Sequence, residues 1–187
     1  MKSVAYTLLI FTIFISNVTS LPVSTQTFSC ASVTEIPQAE CEALVSLFNS
    51  TNGDGWKHNE NWLTTNTPSN WWGVIVTENH VTTIGLPGEN LIGTIPPELG
   101  NLSYLNQLIL SNNFLEGSIP QELGNLHNLT LLTLSINRLS GVIPTELGNL
   151  ENLTELRLSY NYLTGTIPVT LGEMVSLLHL DLRCNLL

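Results

Sequence analysis

An α/β solenoid is the fold class this chain predicts, and three observations carry the prediction. Between Val81 and Leu187 the sequence repeats every 24 residues without insertion or deletion, with Val81, Leu105, Leu129, Leu153 and Leu177 opening successive units. A fixed period of this length marks stacked structural repeats. Within each unit, apolar residues at positions 4 and 6 alternate with period two, the pattern of a strand with one buried face. Ahead of the repeats, Cys41, Leu44, Val45 and Phe48 fall on one face of a helix near residues 37–49.

The chain divides into three stretches: 1–20, 21–80 and 81–187. The first has a basic start at Lys2, an apolar run from Val4 to Ile15 and small side chains at Val18 and Ser20. Those parts make a secretory signal peptide cleaved after Ser20. An uncleaved anchor is the alternative, but the run falls short of the ~20 apolar residues a spanning helix needs. No later stretch has the length and hydropathy to cross a membrane, so the chain as given is expected to be secreted and extracellular. An oxidising compartment lets a disulfide persist. Of the three cysteines, Cys30 and Cys41 are expected to pair, leaving Cys184 free.

Residues 21–80 are expected to cap the solenoid. The helix ends at Asn52-Gly53 and Asp54-Gly55, and Trp56, Trp62, Trp71 and Trp72 follow. The tryptophans are expected to cover the apolar end of the repeat stack, as terminal units must. An aromatic ligand cage is the alternative.

In the repeats, positions 1, 4 and 6 are apolar in every unit, as in Leu129, Leu132 and Leu134. Position 9 is Asn113, Asn137, Asn161 and Asn185, with Glu89 in the first unit. A buried Asn offers both donor and acceptor where the backbone leaves the strand. Position 11 is always Leu. Position 13 is Gly93, Gly117, Gly141 and Gly165, at a turn where a Cβ would be costly. Ile-Pro follows and ends any second strand. Leu99, Leu123, Leu147 and Leu171 then fill the core from the far side.

The pattern LxxLxLxxNxLxGxIPxxLGxL, read as LNQLILSNNFLEGSIPQELGNL from Leu105, resembles the plant-type leucine-rich repeat. The resemblance implies a right-handed superhelix with a parallel sheet on its concave face, and a second short strand and 3-10 turns behind. EALVSLFNSTNGDGWKHNENWL followed by WWGVIV resembles the N-terminal cap of such proteins. That family usually carries C-x-W-x-G-V-x-C there, and Ser69 and Val76 stand at the cysteine positions.

The formal net charge of −10 argues against nucleic acid as a partner. The four histidines are scattered, and neither a metal-ligand spacing nor a nucleophile motif occurs, so no enzyme, metal or cofactor is expected. Recognition is expected on the outward positions 2, 3, 5, 7 and 8 of the strand segments. There the first units are neutral. They are also partly apolar, through Ile109 and Leu131, and the last two units place Glu155, Arg157, Tyr160, His179, Asp181 and Arg183. Tyr and Arg are the types that most often anchor an interface. Asn49, Asn101, Asn128 and Asn152 open glycosylation sequons.

The resemblance thus implies an extracellular module, receptor-ectodomain-like, that recognises a protein or peptide through its concave face. A secreted inhibitor of a cell-wall-degrading enzyme is the first alternative, and ice binding through the Thr82, Thr130, Thr154 and serine columns the second. Leu187 is only position 11 of the fifth unit, so either a longer product continues or the exposed edge pairs with something.

Overall fold

The computed structural model describes residues 28–187, so the expected signal peptide lies outside the described residues. Each full unit folds as one turn of a solenoid with the same three parts. In the four full units an inner strand, six residues long in the first and three in the others, is followed by a short outer strand and then a 3-10 turn, and the partial fifth unit holds the inner strand His179–Asp181. The inner sheet runs Val74–Thr77, His80–Gly85, Gln107–Ile109, Leu131–Thr133, Glu155–Arg157 and His179–Asp181 in spatial order. The outer sheet runs Ile92–Thr94, Phe114–Gly117, Arg138–Val142 and Tyr162–Thr164. Inner strands pair in parallel at a 24-residue offset, as in Leu108 opposite Leu132. Outer strands pair at 22, as in Glu116 opposite Arg138.

The inner sheet departs from the expected all-parallel order at one end. Val74–Thr77, from the cap, pairs antiparallel with the first repeat strand. A short hairpin turn at Glu78 and Asn79, both with positive φ, makes that reversal.

The leucines form one continuous core. In the second unit Leu105, Leu108, Leu110, Leu115, Leu123 and Leu126 are all fully buried. At about 1.5–3 kcal/mol per side chain, this burial outweighs any polar contact in the rung. Polar contacts instead fix how rungs register. Asn137 Nδ2 donates to the carbonyls of Leu110 and Leu134, each at 3.0 Å. Its Oδ1 accepts the Leu115 N–H at 3.0 Å. Asn113, Asn161 and Asn185 repeat this pattern.

The first rung breaks the ladder in an informative way. Glu89 is buried but has no amide to donate, and the cap supplies donors instead. Trp72 Nε1 donates to Oε1 at 3.2 Å, and His58 Nδ1 to Oε2 at 2.8 Å. A carboxylate suits this rung because its neighbours on the cap side are N–H groups rather than carbonyls.

The cap is built on helix α1 (Gln38–Ser50), which begins one residue later than the sequence suggests. Cys41, Leu44, Leu47 and Phe48 are buried along its inner face. Buried Glu40 accepts the Val81 N–H at 2.8 Å and Nδ1–H of His80 at 2.6 Å, joining the helix to the first strand. Cys30 and Cys41 form a disulfide, and Cys184 is free and exposed. Trp56, Trp62 and Trp71 are buried and pack against one another, with Phe48 against Trp56 and Trp62. Their indole N–H groups are spent on the carbonyls of Thr51, Trp72 and Thr65. Three of the four tryptophans therefore close the solenoid end, and Trp72 lies exposed outside them.

Candidate recognition face

The inner strands present positions 3 and 5 of every unit to the same side, because the period-two pleat buries positions 4 and 6. Register fixes the neighbours. Leu131, Glu155 and His179 form one row, and Ile109, Thr133, Arg157 and Asp181 the next. Ile109 and Leu131 are half-buried. Leu131, Thr133, Glu155 and Arg157 line a shallow hollow of about 150 Å³. A larger depression of about 560 Å³ follows at the last rung, lined by Arg157, His179, Asp181 and Arg183 with Leu178 and Leu180. The structure thus gathers seven of the eight expected residues along one surface. Tyr160 sits apart, exposed on the turn that leaves the Glu155–Arg157 strand.

The charges on this surface are paired with one another. Arg157 forms an ion pair with Glu155 through Nε and Oε1. Arg183 grips Asp181 in a two-point fork, Nε to Oδ1 at 2.8 Å and an Nη to Oδ2 at 2.9 Å. That hydrogen bonding holds the Asp181 carboxyl well below the usual carboxylate range, although desolvation opposes it. The folded value lies below the unfolded one. Any stabilisation is therefore present above the ordinary Asp pKa and lost as pH falls towards the folded value. The pair is exposed, so the effect on overall stability is small. We expect the Asp181 carboxyl carbon to remain an anion by NMR at about pH 3, where an unpaired aspartate is mostly protonated. In Arg183→Gln it should titrate in the ordinary range. Protonation of the wild-type carboxyl above about pH 3.5 would contradict the fork.

Position 7 differs from expectation. Ser135 and Ser159 are buried, and Ser159 Oγ donates to Ser135 Oγ at 3.0 Å. The period-two alternation stops at position 6, because position 8 takes a left-handed conformation and turns the chain off the strand. Ser135 and Ser159 are therefore withdrawn from the surface, while Ser111 is half-buried and Arg183 at the same position is exposed. The hydroxyls of Thr130 and Thr154 donate to carbonyls of the preceding rung.

Position 8 reads Gly88, Asn112, Ile136, Tyr160 and Cys184, all with φ between 54° and 71°. Gly and Asn accept that region readily, whereas a β-branched residue there is an outlier. We expect Ile136→Asn to stabilise the protein by about 0.5–1 kcal/mol in chemical denaturation, since the left-handed penalty is relieved at an exposed site. An unchanged or lower midpoint would show that Ile136 contributes packing that offsets its strain.

Sequence reasoning missed one group of exposed side chains. Position 10, just after the buried Asn, holds Phe114, Arg138 and Tyr162 on the outer sheet, all exposed. Their signal was available as a column of large, non-repeating residues.

The leucine rich repeat family profile matches residues 127–187, and a second profile of that description matches residues 104–126. Among solved structures, the BIR2 ectodomain from Arabidopsis thaliana is 32% identical with a TM-score of 0.72, over 81% of this chain and 82% of that one. The ectodomain of the receptor kinase GASSHO1/SCHENGEN3 from Arabidopsis thaliana, in complex with CASPARIAN STRIP INTEGRITY FACTOR 2, is 51% identical with a TM-score of 0.53. The alignment covers 54% of this chain and 12% of that one. The PEPR1-AtPEP1 structure is 32% identical with a TM-score of 0.67, over 75% of this chain and 20% of that one. The chain thus spans only a fraction of the length of the latter two. These matches are to repeat modules rather than to enzyme families. No helix among the described residues is long and apolar enough to cross a membrane. With the leucine and asparagine ladders in place and BIR2 matched over most of both chains, this chain belongs to the plant-type leucine-rich-repeat proteins.

Proposed function

We propose that the protein is an extracellular recognition module that takes a protein or peptide ligand on the inner sheet. The observation that carries this reading is the contrast along that sheet. The first rung offers Thr83 and Gly85, the second and third hold the apolar Ile109 and Leu131 beside Gln107 and Thr133, and the last two carry Glu155, Arg157, His179, Asp181 and Arg183. A half-buried apolar centre edged by paired charges is the layout of an interface whose core excludes water and whose rim sets register. The GASSHO1/SCHENGEN3 and PEPR1 structures were solved with CASPARIAN STRIP INTEGRITY FACTOR 2 and AtPEP1 respectively, which supports ligand binding as the use of this scaffold. Asn49, Asn101, Asn128 and Asn152 are all exposed, and glycans there would leave the inner sheet open.

The test is selection of random dodecapeptides from a display library against the protein made in a secretory, glycosylating host. At least one binder family should lose about tenfold or more in affinity on Leu131→Glu or Arg157→Ala. If no selected peptide responds to either variant, the inner sheet is not the ligand face. Export and glycosylation are read separately, as a mass loss on glycosidase treatment. An unchanged mass would remove the glycan assignment.

A further inference from the structure

The outer sheet carries side chains that the fold itself does not use. Ile92 and Phe114 are register partners on its first two strands, and both are exposed. Ile136 follows, its carbonyl bonded by the Asn113 N–H next to Phe114. The guanidinium of Arg138 lies over the Phe114 ring, 5.0 Å from its centroid. Tyr162, 57% exposed, is the register partner of Ser140 on the next strand. Ile92, Phe114 and Ile136 follow one another across three rungs with Arg138 over the Phe114 ring, and Tyr162 continues the line diagonally onto the fourth rung, on the flank rather than the inner face.

Charge singles this strip out. Among the described residues the Lys and Arg side chains are Lys57, Arg138, Arg157 and Arg183. Lys57 Nζ donates to the Gly88 carbonyl at 2.6 Å, Arg157 pairs with Glu155, and Arg183 pairs with Asp181. Among the described residues Arg138 forms no ion pair, even though Glu116 is its register partner. On a chain with a net charge of −10, a guanidinium held on an aromatic face without a carboxylate is the exception. Such a group has one side committed to the ring and its fork of donors open to an anion.

We propose that this strip docks an extended segment of a partner protein, with a carboxylate side chain flanked by apolar ones. The carboxylate takes the two-point fork of Arg138. The apolar neighbours cover Phe114 and Ile136 on one side and Tyr162 on the other. Rungs are ~4.8 Å apart, an extended chain rises ~3.3 Å per residue, and Phe114 and Tyr162 are each staggered from Arg138 by one rung and two residues, about 8 Å, so each apolar anchor falls two or three residues from the acid. This surface is separate from the inner sheet, and neither assignment depends on the other.

The same dodecapeptide selection tests it with a different set of variants. A binder family should emerge with Asp or Glu two or three residues from an aromatic or branched aliphatic residue on each side. It should lose about tenfold or more on Arg138→Gln and on Phe114→Ala, and bind Leu131→Glu and Arg157→Ala as well as wild type. Circular dichroism of the two flank variants must match wild type, which exposed substitutions should leave intact. Tyr160 lies between the two surfaces and is left unchanged. The proposal is overturned if no acidic family is enriched, or if such a family binds Arg138→Gln equally well. It is also overturned if sedimentation equilibrium shows a dimer that Phe114→Ala abolishes, which would assign the flank to a second copy of this chain.

Discussion

Replacing Asn137 by Ala will destabilise the solenoid by about 3 kcal/mol, far beyond what one exposed polar residue contributes. The Leu110 and Leu134 carbonyls each keep one other amide, from Asn113 and Asn161 respectively. The Leu115 N–H, which Asn137 Oδ1 accepts, keeps nothing. A buried donor left without a partner carries its full desolvation cost of about 1–3 kcal/mol, and the lost amide bonds add to it. Asn137→Asp is the sharper test. It preserves shape and the acceptor but turns an oxygen towards carbonyls of two rungs, so it should be worse than Ala. Chemical denaturation measures both, and hydrogen exchange at Leu115 should quicken most. A loss under about 1 kcal/mol for Ala, or Asp milder than Ala, would show that water replaces the amide. Glu89 makes the same point from the other direction. A carboxylate is tolerated in the ladder only where His58 and Trp72 supply the donors.

Gly93→Ala will separate the cap from the repeats, at a cost of about 3 kcal/mol or more. Two terms add. Its φ of 126° is one that residues with a Cβ rarely adopt, and the added carbon would sit 2.1 Å from the Ser50 carbonyl oxygen at the end of α1. Backbone cannot swing aside as a side chain can, so the helix must shift. Gly141→Ala is the control. Its φ is 78°, but the nearest atom to an added Cβ is the Ser118 Cβ at an ordinary 3.6 Å. Only the conformational term of about 1–2 kcal/mol applies there. Thermal and chemical unfolding of the two variants should therefore differ clearly, with early loss of the near-ultraviolet tryptophan signal in Gly93→Ala alone. Equal effects would mean that the cap end adapts without resistance.

Much of the fold was legible because it depends on spacing. The 24-residue period required identical rungs, positions 4 and 6 required a half-buried strand, and Asn at position 9 required a polar partner set inside the core. The cap helix was legible from Cys41, Leu44 and Phe48 for the same reason. Two features were not. The antiparallel strand Val74–Thr77 has no repeat to declare it, and its pairing depends on a turn at Glu78 and Asn79. The inward turn of Ser135 and Ser159 follows from the left-handed residue after them, which a hydropathy pattern does not record.

The inner-face residues were legible as a set, because strand alternation decides which positions face out. Their charge state was not. Arg157 and Arg183 read as free anchors in the sequence, and the structure pairs each with an acid two residues away. Residues two apart on a strand share a face, so this pairing is local, yet only side-chain geometry decides it. On the flank, the 22-residue outer register staggers Phe114, Arg138 and Tyr162 by two residues per rung, and side-chain geometry lays the Arg138 guanidinium over the Phe114 ring. The sequence by itself thus determined the solenoid, its leucine core and its asparagine ladder, since each follows from chemistry repeated at a fixed interval. Only the tertiary structure decided which charges are spent, which serines are buried and which side chains meet on the flank. Those outcomes depend on contacts between rungs, and the offset between rungs is set by packing rather than by the period.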